Sequence, residues 1–163
     1  MPLIKKGEFI TDSFTTVADE AALPEGGVIV SLERWQAERD TLTARNTPLG
    51  VRLKSGQEPA LIADDLDKLA VVALEFPVYR NGRAYSYARL LRDRYGYKGE
   101  VRAVGAVLRD QFQYMLRVGF DALEVADNIT PAIYKACAGS FTHAYQPGGD
   151  GSVSVFTLRH KRG

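Results

Sequence analysis

The sequence predicts an α/β domain of about five successive βα units around a mainly parallel sheet. Three observations carry this expectation. Runs such as Val28-Ile29-Val30 and Ala70-Val71-Val72-Ala73-Leu74 are apolar without alternation, the pattern of strands covered on both faces. Each run is followed by a segment with helix-start and helix-stop residues. The units also recur at spacings of about 20–25 residues, which suits strand–helix repetition. Serial βα units imply parallel pairing, because each helix returns the chain to the same end of the sheet. Two closures stay open: a twisted open sheet, or an incomplete (β/α) barrel, since a full barrel has eight units.

Residues 1–26 read as an irregular lead-in, with strand character only around Glu8-Phe9-Ile10. Val28–Val30 is the first strand of the repeat. Ser31 suits an N-cap for a helix from Leu32 to Leu42, with Glu33 and Glu38 outward. Leu49–Leu53 is a strand, Pro59 opens a helix to Leu69, and the run to Phe76 is the next strand. A helix from about Tyr85 to Tyr95 closes at Gly96. Glu100–Val104, a helix Leu108–Val118 capped by Gly119, the strand Ala122–Val125 and a helix Thr130–Ala138 complete the series. Residues 140–163 form a tail in which Ser152–Leu158 alternates as an edge strand. The whole chain, 1–163, reads as one domain, with exposed edges closed by the lead-in, the tail or a second subunit. A homodimer is therefore expected.

Composition narrows the function classes. The 163 residues carry a net charge of +1, which disfavours nucleic-acid binding through bulk charge. No stretch approaches a membrane span and no signal-type apolar segment opens the chain, so the expectation is a cytoplasmic protein. The one cysteine, Cys137, excludes an intrachain disulfide and reads as a packed small residue. Both histidines, His143 and His160, lie in the tail, so no metal site or Ser-His-Asp set is expected. No standard phosphate loop occurs, and no cofactor is assigned. Trp35 and the tyrosines at 85, 87, 95, 97 and 114 read mostly as core. Asp121 reads as a turn residue at the opposite end of the sheet from the site proposed next.

Charge is locally concentrated: nine basic residues between Tyr79 and Arg117 face only Asp93, Glu100 and Asp110. Arg89, Arg92 and Arg94 fit a solvated helix face. In parallel α/β sheets ligands bind outside the strand C-termini, and two distinctive loops fall there, residues 76–86 and 105–111. An oxyanion there could be held by Arg83, Tyr85, Ser86 and Arg109, with Asp110 and Gln111 orienting the arginines. Glu75 and Glu124 form a second candidate, a carboxylate pair facing the same mouth.

Residues 76–125, FPVYRNGRAYSYARLLRDRYGYKGEVRAVGAVLRDQFQYMLRVGFDALEV, resemble a proteobacterial family of unknown function, catalogued as domain number 934; GGVIVSLERW at 26–35 extends the resemblance more weakly. Arg83, Tyr85, Ser86, Arg89, Arg102, Gly105, Asp110 and Gln111 match the family pattern, whereas Asn81 stands in place of an acidic residue and Ala84 in place of glycine. The resemblance implies a genomic place beside assimilatory sulfite reduction and no established catalytic residue. The expected function is thus an accessory protein of sulfite or sulfate assimilation that binds a partner, sulfite reductase or its electron donor, or a small anion. The alternative is an enzyme acting on an anionic small molecule at the strand C-termini.

Overall fold

A computed structural model describes residues 1–78 and 80–138; the expected tail strand and both histidines lie outside them. Eight strands form one sheet in the order β2-β1-β8-β7-β6-β5-β4-β3. From β3 (Phe14–Thr16) through β4 (Gly27–Ser31), β5 (Leu49–Leu53), β6 (Val71–Phe76), β7 (Glu100–Gly105) and β8 (Ala122–Glu124), every neighbouring pair is parallel, as serial βα units require.

The irregular lead-in is corrected. It holds β1 (Leu3–Lys5), which pairs antiparallel with β8, then β2 (Glu8–Ile10) in a hairpin with β1, then β3. The hairpin turns on Lys6 (φ 50°) and Gly7 (φ 88°), a two-residue turn with both central residues left-handed. Lysine is uncommon there, which hides the turn in the sequence.

Among the described residues the helices cover one face of the sheet. Helix α1 (Leu32–Ala44) starts where Ser31 Oγ accepts the Arg34 backbone N–H at 3.0 Å, the expected cap. A 3₁₀ segment, Pro59–Lys68, replaces the expected α-helix between β5 and β6. Its Asp64, Asp65 and Asp67 are poor helix formers. Helix α2 (Arg83–Arg89) runs into a π-helical turn, Leu90–Arg94, and α3 (Phe112–Val118) follows a short 3₁₀ turn, Arg109–Gln111. Gly119 ends α3 in the left-handed conformation as expected, and α4 spans Pro131–Ala138. The core lies between these helices and alternate strand residues such as Val30, Val51, Leu74 and Ala103, with Trp35, Leu42, Phe112 and Met115 filling it.

The other strand residues face a curled interior. Strands covered by helices on both faces are not what forms; the apolar runs are buried by helices outside and by the sheet's own curl inside. Ile29, Val71, Ala73 and Val104 make a small inner cluster against Phe14. The curl is visible in one contact set. Asp12, between β2 and β3, accepts from Arg102 of β7 at 2.5 and 3.1 Å, and the Arg102 guanidinium lies 5.7 Å from the Phe14 ring centroid. Phe14 is four strands away from Arg102 in the sheet. The two edge strands are joined by only Thr11, Asp12 and Ser13, so their ends lie within about 15 Å of each other. The sheet is thus an incomplete barrel, the second of the two expected closures.

Two arginines of the basic segment, Arg92 and Arg102, are structural. Arg92 is not a solvated residue: it donates to the carbonyls of Tyr97 (2.6 Å), Gly99 (2.9 Å) and Gly119 (3.0 Å) and pairs with Asp121. Asp121, at the expected end of the sheet, also accepts the Val101 N–H at 2.9 Å. Arg102 is 2% exposed and pairs inside the barrel with Asp12 and Glu100, which also meets Lys5 at 2.6 Å. The local excess of positive charge is therefore divided between surface and interior, because strand and π-turn geometry turn these two side chains inward. Arg89 does lie at the surface, paired with Asp93.

Candidate functional site: the rim at the strand C-termini

The loop after β6 is organised by Asn81. Its Nδ2 donates to Ser55 Oγ at 2.6 Å, and its Oδ1 accepts the Arg83 backbone N–H at 3.2 Å. This ties the loop to its neighbour after β5. The Arg83 side chain follows, with Nη1 3.7 Å from where a β-carbon on Gly56 would stand. Arg83 and Ser86 are exposed.

Tyr85 turns the other way. Its ring lies edge-on to Phe76 (centroids 5.0 Å) and Tyr114 (4.9 Å). The phenol is buried, and among the described residues its hydroxyl has no hydrogen-bond partner. Burial pushes its pKa up to about 12, helped by Tyr114 and the negative charge of Asp110. Asp110 is therefore a neighbour of Tyr85. Gln111 is the second case: its Oε1 is also buried without a partner. Of the expected site residues, Tyr85 packs between α2 and α3 with Asp110 close enough to act on its charge, Gln111 stands in the turn before α3, Arg83 leans toward the β5 loop, and Ser86, Arg109 and Asp110 are exposed. No hydrogen bond or ion pair joins Arg83 to Asp110 among the described residues.

The same rim exposes apolar side chains. Val78 (54% exposed), Leu108 (41%) and Tyr114 (54%) are three of the six large hydrophobic residues left exposed in the described chain. They come from the two distinctive loops and the helix after the second one.

Within the curl lies a polar group that sequence reasoning mostly missed. Arg52 Nε meets Glu75 Oε2 at 3.2 Å, and Ser31 Oγ donates to Asp19 Oδ1 at 2.5 Å. Lys54 Nζ reaches Glu33 at 2.9 Å; this hydrogen bond raises the lysine's pKa and lowers the carboxylate's. Asp19 is placed by Arg34, which is buried and donates to the Ala18 carbonyl at 2.7 Å. Two hollows, about 560 and 310 Å³, open here and share Thr16 and Arg52 in their walls. The available signal was parity: Arg52 in LGVRL and Glu75 in VVALEF break apolar strands at inward positions. Glu75 and Glu124 do both face the interior, but on strands flanking β7, with Glu75 engaged by Arg52.

Among the described residues no group of three or more His, Cys, Asp or Glu side chains is arranged to hold a metal ion. None of their helices is long and apolar enough to cross a membrane. No curated protein and no solved structure matches the chain. A family profile does match, over residues 50–156, from the middle of the sheet through the rim loops and beyond. The chain belongs to that family, DUF934, described as bacterial protein of unknown function.

Proposed function

We propose that the protein is an accessory protein that works by docking another protein on the rim between α2 and α3. The observation that carries this reading is the exposure of Val78, Leu108 and Tyr114, which come from the two rim loops and the helix after the second. Solvent-exposed aromatic and aliphatic side chains beside arginines are the composition of a binding face. Across the two rim loops Arg83 and Arg109 outnumber Asp110, so the rim suits an acidic partner surface. The unpartnered Tyr85 hydroxyl and Gln111 Oε1 offer polar anchors beneath the exposed side chains.

The resemblance to a family encoded beside assimilatory sulfite reduction suggests the partner: sulfite reductase or its electron donor. The test is biolayer interferometry of the full chain against each purified protein. Micromolar or tighter binding to one of them is expected, with Leu108→Asp and Tyr114→Ala each weakening it at least about tenfold. Binding should also slow as salt rises. Absence of binding to both, or binding indifferent to both substitutions, overturns the reading. Self-association through the same face is the competing outcome, read as a dimer that Leu108→Asp dissociates in sedimentation. The small-anion reading at Arg83 and Ser86 makes an opposite forecast: sulfite binds the isolated chain and Arg83→Ala abolishes it.

A further inference from the structure

The interior of the incomplete barrel differs from a packed one. Barrel interiors are usually filled by layers of branched apolar side chains. Here the lower interior is closed by a chain of ion pairs, Lys5 to Glu100, Glu100 to Arg102 and Arg102 to Asp12, and the middle by Phe14, Ile29 and their neighbours. The upper layer remains open and charged. Its larger hollow, about 560 Å³, falls within the size range of small-molecule sites.

The charges in that hollow are balanced and unequally used. Its wall holds two cations, Arg52 and Lys54, and two carboxylates, Asp19 and Glu75. Lys54 is occupied by Glu33. Arg52 is held through Nε by Glu75, and its outer nitrogens make no hydrogen bond among the described residues. A guanidinium fixed on one side presents its other edge as a planar fork, matched to an oxyanion. Asp19 is fixed likewise: Oδ1 takes the Ser31 hydroxyl, while Oδ2 has no partner among the described residues. Asp19 and Glu75 both act electrostatically on Lys54, so these groups share one neighbourhood. A polyanion would meet Asp19 and Glu75 here, and Glu124 in the adjoining hollow.

We propose that the mouth of the barrel binds a small zwitterion, with Arg52 taking its carboxylate or sulfonate and Asp19 its ammonium group. Glu75 is a positioning residue, since it orients Arg52 through Nε. Ser31 has the same role toward Asp19. The site is independent of the docking face, because none of its residues lies on the rim between α2 and α3.

The test is calorimetric or NMR titration of the full chain with β-alanine, taurine, acetate, ethylammonium and inorganic sulfate. The expected result is saturable binding of β-alanine or taurine at least about tenfold tighter than acetate, ethylammonium or sulfate; the better of the two identifies the oxyanion. Arg52→Lys should weaken zwitterion binding at least about tenfold, because a point charge does not replace the fork. Asp19→Asn, an exposed position that the fold tolerates, should bring the zwitterion's affinity down to that of acetate while leaving acetate unchanged. Leu108→Asp on the rim should change none of these values. Sulfate binding as tightly as either zwitterion, no saturable binding of both zwitterions, or an Asp19→Asn variant that binds them normally overturns the proposal.

Discussion

Arg92 shows how far one side chain can be misread from its spacing. Its helical position suggests an exposed charge, yet the π-turn directs it onto three carbonyls and Asp121. Those carbonyls belong to the β7 approach and to the end of α3, so one guanidinium joins two connections at the lower end of the sheet. Removing it leaves several polar groups without partners. Arg92→Ala should therefore cost about 2–4 kcal/mol in urea unfolding, and Arg92→Lys should recover only part of this, since an ammonium cannot serve four acceptors in a plane. An unchanged midpoint for Arg92→Ala would show that water replaces these bonds without loss. Arg52 is the opposite case, a charge within an apolar strand that has a specific inward partner in Glu75.

At the scale of elements, legibility followed the range of the determining interactions. The strand Leu49–Leu53 is read to the residue and the helix that begins at Pro131 to within one, because proline and apolar patterning act locally. The 3₁₀ segment departs from its expected α form, and a long-range staple holds it on α1. Asp65 accepts from Trp35 Nε1 at 3.3 Å and Lys68 at 2.9 Å, and pairs with Arg39, which fastens the segment to α1. Burial pushes the Asp65 carboxyl up, but the bonds from Lys68 and Trp35 and the charge of Arg39 outweigh it and hold the group below its ordinary 3.8. A lowered folded value means that the staple's contribution is complete above the unfolded carboxyl's value and fades as pH falls through the folded one. Asp65→Asn should lower stability at neutral pH by roughly 1–3 kcal/mol and flatten this acid limb in a series of urea melts from neutral to acidic pH. Parallel wild-type and variant profiles would refute the staple.

For the whole molecule, the decisive feature is the seam between β2 and β3. Of the two, β2 shows in the sequence as strand character at Glu8-Phe9-Ile10, whereas the three residues of β3 carry too little pattern, and β1 finds its partner roughly 120 residues away. The rim loops were legible because Gly, Arg and Asn mark their turns; the barrel mouth was not, because it gathers Asp19, Arg52 and Glu75 only after the sheet has curled. Across the seam, Asp12 is the only residue of the three-residue link bonded to Arg102, while Glu100 supports Arg102 from below. Asp12→Asn should therefore loosen the seam locally. The Val17 N–H, which donates to Ile29 at 2.9 Å, should exchange with solvent at least about tenfold faster, while global stability falls by about 1 kcal/mol or less. Equal exchange in the two proteins would mean that the seam is held by packing instead.

The pairing of β1 with β8 also orders events during synthesis. The first of the described strands to leave the ribosome is flanked in the finished sheet by the last of them and by its own hairpin. Until residue 124 emerges, the nascent chain can stack its parallel strands and helices, but its opening segment has no berth on β8. Docking of the β1–β2 hairpin on β8 is then the last step in assembling the described sheet, and a ribosome stalled before that point would hold a sheet without its hairpin.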